Sequence, residues 1–273
     1  MYQTYWQLDT RPFEHSGGEP FYFAAESQSG ALLKLRYVLE HRRAAAVLAG
    51  ESGLGKTLLV QKLLAELGPS YGPRVHLVFP QLPPDQLLTY LADQITGEYS
   101  PLTGNCEQSV RRIERRLAAN AASGKHAVIA IDEAHLLSSV QSLEAIRLLM
   151  NFEHQGQPLA TFLLAGQTNL VLAVRRLGAL DERVAVTCVL TRLTAAETAS
   201  YIRHRLTAAG SRRTIFDESA VQTIYELTNG IPRRINRLCD LALLVGYGEE
   251  LSTLAAPHIE SIHQELIGVA AAA

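Results

Sequence analysis

The sequence predicts an α/β protein: a parallel β-sheet covered by helices on both faces, then an all-helical block. Three observations carry this. Five short apolar runs, Ala44–Ala49, Val75–Phe79, Ala127–Ile131, Thr161–Ala165 and Val184–Leu190, read as buried strands. Segments of helical periodicity lie between them, and such βα alternation builds a parallel sheet with right-handed crossovers. After Leu190 the strand signal ends and only helix starts follow.

The first run leads into Gly50-Glu51-Ser52-Gly53-Leu54-Gly55-Lys56-Thr57, which fits the pattern G-x-x-x-x-G-K-[ST]. Behind it Leu58, Leu59, Leu63, Leu64 and Leu67 recur at helical spacing, predicting a helix over 58–67. The chemistry needs this order. Glycines let the loop close on a phosphate, and backbone N–H groups from Glu51, Ser52, Gly53, Leu54, Gly55 and on to Leu58 point at the anion beside a helix N-terminus. Lys56 is placed to reach the β- and γ-phosphates of ATP, and the Thr57 hydroxyl to ligate Mg²⁺.

Helices are predicted next over Asp85–Thr96 and Gln108–Ala122. The second holds Arg111, Arg112, Arg115 and Arg116 on one flank around Ile113 and Leu117, the pattern of a solvated helix face. The third run then ends in Asp132-Glu133-Ala134-His135, about 75 residues after the glycine-rich loop. A strand-end carboxylate holds Mg²⁺ in loops of this kind, which suits Asp132. A carboxylate just after it can polarise the attacking water, the place of Glu133. His135 is expected to cap or couple the strand end. Helices over Ser142–Glu153 and Leu170–Arg176 flank the fourth run, and the fifth completes the sheet. Ligands of such sheets bind outside the carboxyl ends of the strands, where both motifs fall.

The helical block opens on the capping box Thr194-Ala195-Ala196-Glu197, with a second helix from Asp217, a third from Arg233 after Gly230-Ile231-Pro232, and a fourth over His258–Ile267. The expected division is a nucleotide-binding core with an N-terminal extension over 1–191 and a helical domain over 192–273.

Composition sets outer limits. The chain is 47% hydrophobic and 19% charged, with a formal charge of −2, so no global field draws it to nucleic acid or an anionic membrane. No apolar run reaches the roughly 18 residues of a membrane span, and the start lacks the basic and apolar regions of a signal peptide. Cys106, Cys188 and Cys239 have neither metal nor disulfide spacing. A cytoplasmic protein is expected.

The order of motifs resembles an AAA+ ATPase, a P-loop NTPase with an αβα core and a C-terminal helical lid. The finer resemblance is to the general secretion pathway type A and mannose-sensitive haemagglutinin pilus ATPase group. It rests on Tyr5-Trp6-Gln7-Leu8, Arg11-Pro12-Phe13, Gly50–Thr57, Ile131–His135, Leu164-Ala165-Gly166-Gln167 and Gly230-Ile231-Pro232-Arg233-Arg234-Ile235-Asn236-Arg237-Leu238-Cys239-Asp240. The resemblance implies Gln167 as the sensor-one group at the γ-phosphate or the attacking water, and Arg233 as the sensor-two arginine. It places Arg183 as an arginine finger supplied to a neighbouring subunit; the alternative is an ion pair with Asp181 or Glu182. Phe13 either packs on adenine or belongs to a core. Partners implied are further copies in a homo-oligomeric ring, a hexamer being one form, and a secretion, pilus or cell-envelope apparatus. The competing function is an ATP-dependent DNA-binding regulator, as in transposition ATPases.

Overall fold

The computed structural model describes residues 1–14, 19–99, 105–137 and 139–271. In chain order they form α1 (Tyr2–Trp6), α2 (Glu26–Glu40), β1 (Ala45–Ala49), α3 (Lys56–Glu66), β2 (Tyr71–Leu77), α4 (Pro84–Thr96), α5 (Cys106–Ala122) and β3 (His126–Ile131). There follow α6 (Val140–Leu149), the short strands β4 (Glu153–His154) and β5 (Gln157–Pro158), β6 (Ala160–Gly166), α7 (Asn169–Arg176), α8 (Gly178–Asp181) and β7 (Val184–Val189). Helices α9 (Ala195–Ala208), α10 (Glu218–Thr228), α11 (Pro232–Gly248) and α12 (Ala256–Ala271) end the chain. Contacts divide it into two units, Ser27–Leu190 and the pair Met1–Glu26 with Thr191–Ala273.

The first unit is built on a five-stranded sheet of order β2-β3-β6-β1-β7, in which every pairing is parallel. The two central partners β1 and β6 are buried at every position, as the unbroken apolar runs require. Ala45, Val47, Ile129, Ile131, Phe162 and Leu164 face one layer, where Leu87, Leu91, Ile113, Leu117 and Ile146 of α4, α5 and α6 meet them. The alternate residues Ala46, Leu48, Val128, Ala130 and Leu163 face the other side. There α2 and α3 bury Leu35, Leu39, Leu59 and Leu63, and an Arg36–Glu66 ion pair of 2.5 Å ties the two helices.

Two of the differences from expectation concern helices of this unit. Helix α2 is absent from the sequence reading, although Ala31, Leu32, Leu35, Val38 and Leu39 recur on its buried face. Helix α6 stops at Leu149 rather than running to Glu153, because residues 153–158 pair as a hairpin turning through Gln155 and Gly156, both at positive φ. On the basic flank of α5, Arg111 is exposed and pairs with Glu107 at 2.7 Å, whereas Arg112 is partly buried and ties the helix to Asp93 of α4 at 2.8 Å.

At the foot of β3, His126 is buried. Its Nε2 meets Thr161 Oγ1 at 2.8 Å, and the Thr161 hydroxyl donates to the Arg43 carbonyl at 2.7 Å, so Nε2 carries the ring proton. Burial, with the charge of Arg42 second, lowers its pKa from 6.5 to about 4. The unfolded chain therefore takes up this proton first, and stability falls as pH drops through 6.5 towards 4. The loss from this group is expected to reach about 3 kcal/mol. Denaturant melts from pH 7 to pH 4 check it. His126→Phe should flatten the dependence across that window, and an equal slope in both proteins would reject the assignment.

In the second unit, α9–α12 and the N-terminal segment share one core. Trp6 is fully buried and donates from Nε1 to the Leu243 carbonyl at 2.8 Å, while Tyr2 hydrogen-bonds to Asp240. Arg205 donates to the carbonyls of Pro12 (2.5 Å) and Glu14 (2.6 Å). These anchors explain why residues 1–26 group with the helical unit, whereas the sequence reading placed them with the sheet. Phe13 is 2% exposed and packs edge-to-face on Phe216, which gives it a core role in this unit. The capping box of Thr194 and Glu197 and the Asp217 cap form as expected. Among the described residues, no helix is long and apolar enough to cross a membrane.

Candidate nucleotide site

Strand order assembles the site. Because β6 lies between β1 and β3, the chain segments leaving the carboxyl ends of these strands stand side by side. They carry Gly50–Thr57 after β1, Asp132–His135 after β3, and Gln167 after β6.

The loop after β1 closes through Gly53 and Gly55, at φ of 88° and 91°, where a side chain would be strained. Helix α3 starts at Lys56, so its N-terminal turn directly follows the loop. Lys56 is 5% exposed, and its Nζ donates to the carbonyls of Gly50 and Glu51, each at 2.9 Å. The ammonium is thereby held over the loop. Gln28 of α2 braces the loop from behind: its Nε2 donates to the Leu54 carbonyl at 3.1 Å. Sequence reasoning missed Gln28 along with its helix; the apolar period of α2 was the available signal.

Asp132 is buried, and its carboxylate receives the Glu133 N–H at 2.9 Å, with the Thr57 side chain near enough to favour its charged form. His76 of β2 stands alongside, Nε2 to Oδ2 at 3.7 Å. Burial by itself would raise the Asp132 pKa, but the neighbouring His76 and Thr57 side chains and the hydrogen bond from the Glu133 N–H together hold it below the usual carboxylate range. Asp132 is therefore an anion at neutral pH, touching the loop threonine. His76 also escaped the sequence reading, which began β2 at Val75 and gave the histidine no role.

Glu133 takes a left-handed backbone, φ 48° and ψ 34°, and its side chain is 43% exposed. A non-glycine residue in this region costs about 1–3 kcal/mol, and here the bend turns the chain sharply at the strand end. Beside it, the main-chain N–H of Gln167 donates to His135 Nδ1 at 3.3 Å. The exposed Gln167 is thus linked through the His135 ring to the Glu133 carboxylate, whose Oε2 is 3.3 Å from the same nitrogen.

Arg183 is not among them. It precedes β7, whose Val184 pairs with Ala45 at the start of β1, so it lies at the opposite end of the strands from the loop. Five residues of strand separate the two levels, about 15 Å. Its Nη1 donates to the Met150 carbonyl at 3.2 Å, and it forms no ion pair with Asp181 or Glu182 among the described residues. Arg233 belongs to the helical unit, directly after Pro232 at the first turn of α11. It lines a cavity of about 500 Å³ there, with Phe13, Asn236, Arg237 and Asp240.

The donor set fits Mg²⁺, which takes oxygen ligands, few of them from protein. Thr57 Oγ1 and the Asp132 carboxylate are such a pair, and no cluster of three or more His, Cys, Asp or Glu suited to another metal occurs among the described residues.

Comparison with known proteins agrees with this geometry. Residues 39–174 match the family described as AAA domain. The chain is 32% identical over 272 residues to general secretion pathway protein A of Aeromonas hydrophila, covering 98% of this chain and 49% of that protein. It therefore spans about half the length of this curated relative. Among solved structures, Cdc6p of Pyrobaculum aerophilum superposes with a TM-score of 0.74 at 15% identity, over 93% of this chain and 70% of that one. The Aeropyrum pernix ORC2 protein, solved as ADPNP–ADP complexes, gives a TM-score of 0.70 at 14% identity over 94% and 72%. At such identities the likeness is one of fold. With a glycine-rich loop, a strand-end acid pair and a parallel sheet of this order, the chain carries an AAA domain of the P-loop type over residues 39–174.

Proposed function

We infer that this chain binds Mg-ATP on the Gly50–Thr57 loop and hydrolyses it. The observation that carries the reading is the contact of Thr57 with the buried, ionised Asp132, beside a lysine held over the loop. In this reading, backbone N–H groups from Glu51 to Leu58 cradle the phosphates, and Lys56 gives its ammonium to the β- and γ-oxygens. Thr57 and Asp132 are the residues that would hold Mg²⁺, which when bound would offset charge developing on the phosphate oxygens. Glu133 orients the attacking water and accepts its proton as the new P–O bond forms, and Gln167 fixes the water or the γ-phosphate.

The other roles reach further. Arg183 sits too far from its own loop to serve it, so a finger role needs a second copy, in a homo-oligomer with nucleotide at subunit boundaries. Arg233 is assigned to the phosphates by the family resemblance. The similarity to a secretion pathway protein supports a task in a secretion, pilus or cell-envelope apparatus.

Calorimetry with ATP in the presence and absence of Mg²⁺, with native mass measurement under a slowly hydrolysed analogue, tests the scheme. Magnesium-dependent binding and nucleotide-dependent oligomers are expected. The absence of binding heat at saturating ATP would end the reading. A protein that stays monomeric would remove Arg183 from it. ATP-dependent duplex binding that weakens steeply with salt would move the function to DNA.

A further inference from the structure

The buried residues of α2 are Gln28, Ala31, Leu32, Leu35, Val38 and Leu39, which recur at helical spacing along one face. Gln28 is the polar member of that stripe and is 8% exposed. A buried amide has to find a hydrogen bond, and Nε2 finds the Leu54 carbonyl at 3.1 Å. The fit is close, since a Cβ on Gly55 would stand 3.1 Å from the same Nε2.

Leu54 and Gly55 share one trans peptide plane, in which C=O and N–H point in opposite directions. A carbonyl held towards Gln28 therefore turns the Gly55 N–H away from it. Gly55 lies at φ 91°. Turning the plane over takes it to negative φ, which glycine adopts as readily. Two orientations are thus open at this peptide, and one side-chain donor selects between them.

On the nucleotide reading given above for this loop, we propose that Gln28 is a positioning residue that sets the sense of the Leu54–Gly55 peptide. With Gln28 on the carbonyl, the Gly55 N–H is free to donate to a phosphate oxygen in the loop. With that donor removed, the buried carbonyl loses its partner and the plane is free to turn. The loop then presents a carbonyl to the phosphate, and oxygen lone pairs repel the anion where an N–H would have bound it. The glutamine touches no phosphate; it acts through the plane it holds.

Three side chains of similar length separate this role from packing. Glutamine offers the carbonyl a donor, Gln28→Met offers neither donor nor strong acceptor, and Gln28→Glu offers only an acceptor, which the Gly55 N–H of the turned plane satisfies. ADP affinity, measured by calorimetry well below each protein's melting temperature, should fall in that order. The expected losses are about tenfold for Gln28→Met and about a hundredfold for Gln28→Glu. A second readout needs no ligand: crystals of nucleotide-free Gln28→Glu should show the Leu54–Gly55 plane turned over, with Gly55 at negative φ. Wild-type ADP affinity in Gln28→Met, or an unturned plane in Gln28→Glu, overturns the proposal. So does affinity that follows melting temperature and not the donor–neither–acceptor order, because a merely structural role is blind to the sense of a hydrogen bond. If the wild type itself takes up no ADP, the nucleotide reading fails instead, and the peptide orientation in the crystals still decides this one.

Discussion

Lys56→Ala is expected to lower phosphate release by a factor of about 10²–10³ and to weaken ATP binding, with the fold intact. The magnitude is that of removing one preorganised donor from a site of developing negative charge. Lys56 is 5% exposed and its ammonium is fixed by two carbonyls at 2.9 Å, so in this reading it meets the phosphates with little reorganisation. Stability should hardly change. The substitution gives up two backbone contacts, but it also removes a cation from the N-terminal turn of α3, where the helix dipole disfavours positive charge, and puts alanine in a helical position. A phosphate-release assay beside a thermal melt separates the two outcomes. Undiminished turnover in a folded Lys56→Ala protein is the result that would falsify the site.

Glu133→Gln should behave differently. Glutamine keeps the size and hydrogen-bonding reach of the side chain but cannot take a proton at neutral pH. Turnover is expected to fall by about 10²–10⁴, the usual contribution of a positioned general base, while Mg-ATP affinity stays near the wild-type value. Lys56, Thr57 and Asp132 are untouched, and the left-handed backbone at φ 48° is equally open to glutamine. The variant should therefore hold ATP unhydrolysed and populate any nucleotide-dependent oligomer. Binding lost in parallel with turnover would make Glu133 part of the binding surface and not the base. Read together, the two substitutions distinguish binding from chemistry: Lys56→Ala impairs both, Glu133→Gln only the second.

The legible part of this molecule was the part written in short-range pattern. The inner strands β1, β3 and β6 appeared as apolar runs because a parallel sheet is buried on both faces there, and the observed strands fall within a few residues of the predicted runs at β1, β3, β6 and β7. Strand β2 starts at Tyr71, before the predicted Val75, since residues 71–74 are only partly buried or exposed and give no apolar signal. The caps at Thr194 and Asp217 were readable because a cap is a local hydrogen bond between near neighbours. Helix α2 was overlooked despite its periodicity, and with it Gln28, whose contact with the Leu54 carbonyl joins residues 26 positions apart. The place of the N-terminal segment was likewise hidden. Its anchors, Trp6 on the Leu243 carbonyl and Tyr2 on Asp240, span more than 230 positions.

The sequence by itself determined the chemistry: a glycine-rich loop before a helix and a carboxylate pair at a strand end each follow from residue type and spacing over a handful of positions. Tertiary structure alone decided which groups stand within reach of one another. The strand order set β6 between the two motif-bearing strands, brought the Asp132 carboxylate to the Thr57 hydroxyl with His76 alongside, and left Arg183 at the far end of the sheet. The reason is physical. Local pattern reflects backbone geometry and hydrogen bonds between neighbours, whereas strand order is fixed by burying both faces of the whole sheet at once, a condition no short segment encodes.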